Sequence, residues 1–203
     1  MRRMIAAMKV SVDMKFQGPG GYADWVDGWS EDYGLLPQID ACLLGGQMYR
    51  GYEQYWSAMR RDPLAPSPMT GAVPTKAELL WSKLIPTLPH YVLSGSLSEA
   101  AWRNTRFLRG LNDVAALKAE PGKDIYLMGG GQMVRTLIEA GLLDELRLIT
   151  YPVIAGGPHS LFGSEEMRRM AELVAVRDLP GGLVASSYLI LSGEQPKGDA
   201  AAA

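Results

Sequence analysis

The fold is decided by the stretch from Asp124 to Gly141, which reads DIYLMGGGQMVRTLIEAG. Its first part, Ile125 to Met128, is a short apolar run of the kind that forms a strand buried on both faces. Three glycines follow at 129–131, and apolar residues then recur at helical spacing from Val134 to Ile138. Gly141 lies where a residue in the left-handed conformation would end the helix. The stretch therefore predicts a buried strand that turns through glycine into a helix.

Such a turn has two interpretations. Glycines leave the backbone N–H groups unobstructed beside the positive end of the helix, which suits a phosphate or pyrophosphate group. A tight strand-to-helix turn that binds nothing would use the same residues. The stretch is not a Walker loop, because no Gly-Lys-Ser/Thr follows, and it lacks the GxGxxG spacing of a dinucleotide fingerprint. The glycines alone leave both interpretations open.

The length and composition of the chain are typical of one ordinary globular domain, with 203 residues, 47% hydrophobic and 21% charged. We expect that domain to span residues 1–192, followed by a disordered polar tail at 193–203. The net charge of −2 argues against general binding to nucleic acids. No apolar run approaches the length of a membrane span, so we expect a cytoplasmic protein. A single cysteine and two isolated histidines give little support to a disulfide or a metal site.

Apolar runs bounded by turn residues predict an α/β chain in which strands alternate with helices. The predicted strands are Ile5–Val12, Ala41–Leu44, His90–Leu93, Thr105–Leu108, Ile125–Met128 and Leu146–Ile154, with an antiparallel hairpin at Leu173–Arg177 and Leu183–Leu191. Besides the helix after the glycines, helices are predicted through Met48 to Met59, Lys76 to Leu84 and Leu111 to Ala119. The proline-rich stretch from Arg60 to Pro74 is predicted to be a surface loop.

Four of the predicted strands end in small residues. The sequences are GPGG after the first strand, GG after the second, SGS after the third and GGG after the fifth. Strands that alternate with helices form a mainly parallel sheet, so these four ends are expected at one edge. Ligands of open α/β sheets bind at that edge. The repetition therefore favours a nucleotide site over four unrelated turns.

With these motifs, the chain resembles the dihydrofolate reductase-like superfamily, and within it the reductase domain of the bifunctional riboflavin-pathway deaminase-reductase. The matching motifs lie between about Arg3 and Leu191 and are Ser11-Val12-Asp13, Leu43-Leu44-Gly45, Tyr91-Val92-Leu93-Ser94, Gly129-Gly130-Gly131, Gly141-Leu142-Leu143-Asp144-Glu145-Leu146 and Pro152-Val153-Ile154. The resemblance implies a three-layer α/β/α fold with an eight- or nine-stranded, mostly parallel sheet. It also implies NADPH bound across the strand ends, and usually a homodimer.

The resemblance further implies roles for individual residues. The cofactor would contact Gly45, Gly46, Gln47, Met48, Ser94, Ser96, Gly129, Gly130, Gly131, Gln132 and Met133. A cis peptide bond would join Gly129 to Gly130. Asp13 would be the catalytic polar group, and the substrate would be bordered by Gln17, Gly18, Trp25, Trp29 and Tyr49. An aspartate at a strand end is also a common turn-forming residue, so Asp13 has two interpretations.

The chain departs from the family where the 2′-phosphate of the cofactor would bind. The family commonly has an arginine at the position of Gly46 and a threonine at that of Met48, and often an arginine at that of Gly95. Guanidinium groups bind phosphate through paired hydrogen bonds, so their loss should weaken NADPH relative to NADH. NADPH is the expected cofactor and NADH the alternative, and the remaining arginines that could supply the contact are Arg50, Arg103, Arg106 and Arg109.

Three functions are open on this sequence. The first is a reductase that delivers hydride from NAD(P)H to a small pteridine- or pyrimidine-like substrate, similar to 5-amino-6-(5-phosphoribosylamino)uracil reductase or dihydrofolate reductase. Its partner would be a small molecule, with neither nucleic acid nor membrane involved. The second is a nucleotide-binding or regulatory module that has kept the fold and lost turnover, which the missing arginines motivate. The third is a pocket that holds a flavin.

Overall fold

The computed structural model describes residues 1–18, 23–26, 28–30, 32–67, 71–162 and 168–191. Its strands are β1 Met4–Ser11, β2 Ile39–Gly45, β3 His90–Leu93, β4 Thr105–Leu108, β5 Asp124–Leu127, β6 Glu145–Tyr151, β7 Ala171–Leu179 and β8 Leu183–Ile190. Its helices are α1 Gly46–Arg61, α2 Lys76–Leu84, α3 Leu111–Ala119 and α4 Gly131–Glu139. Short 3-10 turns cover Ile85–Thr87 and Pro180–Gly182.

The strands described form one eight-stranded sheet in the order β4-β3-β2-β5-β1-β6-β8-β7. Strands β1 to β6 run parallel to one another. Strands β8 and β7 extend the sheet beyond β6 as an antiparallel hairpin. The predicted mostly parallel sheet with a C-terminal antiparallel hairpin is therefore confirmed.

Helices cover both faces of the sheet. Alternate residues of β1 enter two separate cores, with Ile5 in one and Met4 in the other. The core that holds Ile5 includes the aromatic stripe of α1 and Trp81 of α2. The core that holds Met4 includes the apolar sides of α3 and α4. The result is the expected three-layer α/β/α arrangement, in which the central strands are buried on both faces.

The element boundaries follow from local signals. Strands β3 and β4 and helices α2 and α3 have the predicted bounds. Strand β6 ends at Tyr151 rather than at the predicted Ile154, because Pro152 has no N–H to donate to the sheet. Helix α1 continues to Arg61, past the predicted start of the loop, and ends where Asp62 precedes Pro63, since the residue before a proline disfavours the helical conformation.

Two further predictions concern the C-terminal tail and membrane-spanning helices. The predicted tail at 193–203 lies outside the described residues. None of the helices described by the structure is long and apolar enough to cross a membrane.

Candidate functional site

The carboxyl ends of β1, β2, β3 and β5 lie at one edge of the sheet, because these strands are mutually parallel. The four strand ends that carry the small-residue loops therefore share one edge, as predicted. Residues 19–22, in the loop after β1, lie outside the described part of the chain.

Strands β2 and β5 are neighbours in the sheet, and the helices that follow them lie on opposite faces. Strand β2 leads into α1, on the face that holds α2, whereas β5 leads into α4, on the face that holds α3. Ligands of open α/β sheets bind at such a switch between faces, in the crevice between the two strand ends. Gly45 borders one side of it and Gly130 the other.

The two helices beside this crevice begin without a capping side chain from the described residues. The N-cap residues are Gly45 for α1 and Gly130 for α4, and neither first turn contains an acidic residue. Helix α2 differs, because Thr75 and Glu78 form a capping box at its start. In α4 the Met133 N–H donates to the Gly130 carbonyl at 3.0 Å, which leaves the N–H groups of Gly131 and Gln132 available. These N–H groups and the first ones of α1 lie at helix ends that carry partial positive charge. Together the two N-termini are suited to an anion.

The three glycines before α4 have different environments. A β-carbon on Gly129 would lie 2.9 Å from the Met133 Cβ, and one on Gly131 would lie 2.5 Å from the Phe16 Cε1. Packing therefore requires glycine at both positions. A β-carbon on Gly130 would meet no described atom within 4 Å, and its backbone is extended at φ −70° and ψ 168°. Gly130 thus borders open space, and packing does not require glycine at this position.

The peptide bond between Gly129 and Gly130 is trans, so the expected cis bond is wrong. A cis bond between residues other than proline is unfavourable by roughly 2.5–4 kcal/mol. In this chain the extended conformation of Gly130 already makes the turn into α4.

On the other side of the crevice, Gly46 lies against the loop after β3. A β-carbon on Gly46 would lie 2.6 Å from the Ser94 Oγ. That hydroxyl oxygen accepts hydrogen bonds from the N–H groups of Ser96 at 3.3 Å and Leu97 at 3.0 Å, which hold the loop in place. The arginine that the family commonly has at the position of Gly46 would therefore clash with this loop.

A different arginine approaches the same loop. Arg109 follows β4, and its Nη1 donates hydrogen bonds to the carbonyl oxygens of Ser94 at 2.7 Å and Leu97 at 2.6 Å. Its guanidinium lies over the Phe107 ring, 5.4 Å from the centroid, and the side chain is exposed. Among the four arginines that the sequence left open, Arg109 is the one that these contacts fix beside Ser94.

Asp13 lies in the loop after β1 and binds the loop after β6. Its carboxylate accepts hydrogen bonds from the Ser11 hydroxyl at 2.6 Å and from the N–H groups of Ala155 at 3.0 Å and Gly156 at 2.9 Å. These bonds, with that of Ser11 the strongest, lower the pKa of Asp13 from 3.8 to about 2. At neutral pH the group is ionised, so it accepts hydrogen bonds and is not a proton donor.

A cavity of about 270 Å³ lies beside the Asp13 contact. It is lined by Asp24, Trp25, Val153, Ile154 and Ala155. Because the Ala155 N–H donates to the Asp13 carboxylate, this hydrogen bond holds one wall of the cavity in place. The Trp25 indole N–H is buried and has no hydrogen-bond partner in the described part of the chain. Trp25 was predicted at the site, whereas the wall after β6 was not, although the motif Pro152-Val153-Ile154 lies in it.

The structure does not bring Trp29 and Tyr49 to this cavity. The Trp29 ring stacks on Trp81 at 5.0 Å between centroids and packs against the core beneath α1 and α2. Tyr49 is fully buried, and its hydroxyl contacts Glu53 at 2.6 Å and Thr105 at 2.7 Å. Because Thr105 is at the amino end of β4, the Tyr49 ring extends away from the strand-end edge.

The remaining predicted residues lie along the edge. Gln47, Met48 and Gln132 are exposed in the first turns of α1 and α4, and Met133 is half-buried. Gln17 and Gly18 follow Phe16, whose N–H donates to the His159 carbonyl at 3.2 Å and whose ring lies against Gly131. Among the residues described, no cluster of three or more His, Cys, Asp or Glu side chains is arranged to hold a metal ion.

Comparisons with known proteins agree with this architecture. The model of the RibD C-terminal domain matches residues 2–185. The uncharacterized protein YyaP of Bacillus subtilis (strain 168) is 33% identical over 194 residues, which are 92% of this chain and 94% of YyaP.

Solved structures show the same fold at low sequence identity. A protein from Shewanella sp. PV-4, assigned provisionally to riboflavin biosynthesis, has a TM-score of 0.65 and 17% identity, over 94% of this chain and 99% of that one. Dihydrofolate reductase from Enterococcus faecalis, complexed with NADP(H) and RAB-propyl, has a TM-score of 0.58 and 13% identity, over 94% and 97% of the two chains.

The chain has a dihydrofolate reductase-like α/β fold. Since the family model covers most of the chain, the chain belongs to the RibD C-terminal domain family.

Proposed function

We propose that this protein is an NAD(P)H-dependent reductase that transfers hydride to a small pteridine- or pyrimidine-like heterocycle. The observation that carries the proposal is the crevice between β2 and β5. There, two helices without a capping side chain begin at neighbouring strand ends in opposite layers of the fold, and a β-carbon on Gly130 would meet no described atom within 4 Å. The arrangement fits the doubly charged pyrophosphate at the middle of a dinucleotide.

In this proposal the backbone of the chain binds the pyrophosphate. The N–H groups of residues 46–48 bind it from α1, and those of Gly131 and Gln132 bind it from α4, since the Met133 N–H already donates to the Gly130 carbonyl. Gly45 and Gly130, as glycine N-caps, let the pyrophosphate approach the main chain. Gly129 contributes indirectly, because it allows Met133 to pack under the turn.

The adenosine end would lie over the loops after β3 and β4. Ser96 is exposed there, next to Ser94, and would border the ribose. Arg109 is the cation fixed beside that loop, and it would bind the 2′-phosphate of NADPH in place of the family's missing arginines. On this basis NADPH is preferred over NADH.

The nicotinamide, when bound, supplies the hydride, and the protein orients the two reactants. The substrate would occupy the cavity beside Asp13, with the Trp25 ring in its wall. Ionised Asp13 would hold the cavity wall at Ala155 and Gly156 in position. The proton that accompanies hydride transfer would come from water, because the pKa of Asp13 is too low for proton donation.

The experiment that tests the proposal is a titration with NADPH and NADH, followed by tryptophan fluorescence and by calorimetry. We expect saturable binding of NADPH, and oxidation of NADPH in the presence of a pteridine or pyrimidine acceptor. Failure to bind either dinucleotide would contradict the proposal. A yellow protein with bound flavin would also contradict it.

A second function, dinucleotide binding without turnover, is favoured by the chemistry of Asp13. Its carboxylate oxygens are occupied by three donors within the protein, as expected of a structural clamp. Tight NADPH binding without hydride transfer to any of a panel of pterins, pyrimidines and quinone-like acceptors would support this function over the reductase.

A further inference from the structure

The cavity beside Asp13 combines an apolar wall with negative charge. Its described lining consists of four uncharged residues, Trp25 and residues 153–155, and one carboxylate, that of Asp24. The ionised Asp13 carboxylate lies next to this wall, because it accepts a hydrogen bond from the Ala155 N–H at 3.0 Å. Residues 16–37, which include Asp24, contain four acidic residues and no basic one. The charges at this cavity therefore favour a cationic ligand over an anionic one.

No basic residue is among the described residues that line the cavity. Lys9 donates from its Nζ to the Gly28 carbonyl, and Arg135 donates to two carbonyl oxygens of the loop after β6. Lys15 and His159 also lie outside the described lining. A phosphate group in the cavity would thus lie beside two carboxylates, and the described lining would offer it no cation as a partner.

The rim of the cavity exposes large apolar side chains. Ile154 is 79% exposed, and Val12, whose N–H donates to the Val153 carbonyl at 2.9 Å, is 56% exposed. Together with the Trp25 ring, these side chains offer an apolar surface to a planar ligand. The face of an aromatic ring also attracts cations. A flat ring that carries positive charge therefore suits both the surface and the charges of the cavity.

The described lining also lacks a group suited to donate a proton. Asp24 is its ionisable residue and is exposed to water, whereas carboxyl groups that act as acids in enzymes are held in apolar surroundings. Asp13 is ionised at neutral pH and already accepts three hydrogen bonds from within the protein. Hydride transfer to a neutral C=N bond needs a proton at the nitrogen, but transfer to a positively charged C=N bond does not.

We infer that the substrate is a planar heterocycle whose reducible C=N bond carries positive charge and which has no phosphate group. This inference rests on the proposed transfer of hydride from NAD(P)H. The hydride forms a C–H bond at the carbon, and the π-electron pair of the C=N bond moves to the nitrogen and cancels its charge. The products of this step are a neutral amine and NAD(P)⁺, so the step consumes no proton. Asp24 attracts the cation to the cavity before the transfer.

Pairs of ligands that differ in one charged group test the inference. The first pair is the ring iminium 2-methyl-3,4-dihydroisoquinolinium and its uncharged analogue 3-methyl-1,2-dihydronaphthalene. The second pair is 5-amino-6-(ribosylamino)uracil and its 5′-phosphate. Calorimetry of the full chain should show the iminium binding at least about tenfold more tightly than its analogue, and the phosphate ester at least about tenfold more weakly than the nucleoside. High salt should reduce both differences.

Variants at two exposed lining residues show whether the selection occurs in this cavity. Asp24→Asn should remove most of the preference for the iminium, whereas Glu139→Gln, at the exposed last residue of α4, should keep it. Ile154→Lys adds a cation to the wall and should make the phosphate ester bind at least as tightly as the nucleoside. Ile154→Gln, which has no charge, is the matched control and should retain the preference for the nucleoside. Circular dichroism checks that each variant is folded.

Equal affinities for the iminium and its uncharged analogue in the wild type would overturn the inference. Tighter binding of the phosphate ester than of the nucleoside would also overturn it. A preference for the iminium that survives Asp24→Asn would locate the cation outside this cavity, with the same consequence. These affinities are measured without NADPH, so they do not depend on the cofactor. A chain that selects the cation but does not bind NADPH would contradict the proposed reductase and support the cation site.

Discussion

Gly45 and Met133 meet where strands β2 and β5 end, with the Met133 Cε 3.3 Å from the position of a β-carbon on Gly45. One residue caps α1 and the other lies in the first turn of α4. Their contact shows that the starts of two helices on opposite faces of the sheet lie next to each other, with the Met133 side chain between them.

Gly130→Ala tests whether the open space at the turn binds the cofactor. The backbone conformation of Gly130 suits alanine, and its β-carbon would touch no described atom, so stability should be unchanged or rise by about 0.4–1 kcal/mol. NADPH affinity should fall at least about tenfold, because the methyl group displaces the pyrophosphate from charge-assisted hydrogen bonds. Calorimetry and thermal unfolding measure the two effects. Gly51→Ala, on an exposed position of α1, is the matched control and should bind normally.

Arg109→Ala tests the origin of cofactor preference. Loss of a guanidinium–phosphate contact should weaken NADPH about tenfold to a hundredfold and leave NADH unchanged. Titrations with both cofactors separate this effect from damage to the Ser94 loop, which would weaken both equally. Arg106→Ala, on an exposed residue of β4, serves as the control. An unchanged ratio of the two affinities in Arg109→Ala would remove Arg109 from the cofactor site.

Asp13→Asn tests the clamp between the loops after β1 and β6. The pKa of Asp13 is lower in the folded chain than its ordinary value, so its contribution to stability is complete above about pH 4 and is lost as the pH falls towards 2. Urea unfolding between pH 2 and 7 should therefore show a smaller decrease with acid in Asp13→Asn than in the wild type. Asp24→Asn, on an exposed carboxylate of the cavity, should behave like the wild type. Equal acid sensitivity in Asp13→Asn would show that the clamp is not formed.

His90 should make the fold sensitive to mild acid. Burial between Tyr52 and Trp102 lowers the pKa of His90 from 6.5 to about 4. Between these two pH values the imidazole is protonated in the unfolded state and neutral in the folded state. The free energy of unfolding is therefore fully retained above pH 6.5 and should fall by up to about 3 kcal/mol as the pH drops to 4. Chemical unfolding should show a shallower fall in His90→Phe than in the wild type. His159→Phe, at an exposed histidine, should retain the wild-type slope.

The sequence predicted those parts of the molecule that have local signals. Pro89 and Ser94 bracket β3, and Gly110 and Pro121 bracket α3, so their bounds could be found without tertiary information. The common edge of the glycine loops followed from the alternation of strands and helices. That inference needed only the rule for parallel sheets.

The side chains of the site were harder to predict, because their surroundings come from distant parts of the chain. Asp13 and Ala155 are 142 residues apart, and their hydrogen bond determines what the carboxylate can do. An aromatic residue near a glycine loop has the same local pattern whether it lines a cavity, as Trp25 does, or packs in the core, as Trp29 and Tyr49 do. Arg109 became distinct from the other arginines only through its contacts with the β3 loop.

A crystal structure of the protein with NADPH tests the central claim most directly. We expect pyrophosphate oxygens within hydrogen-bonding distance of the N–H groups at the starts of α1 and α4, with the nicotinamide towards Asp13 and the 2′-phosphate towards Arg109. NADPH bound at any other surface, or no bound NADPH at saturating concentration, would contradict it.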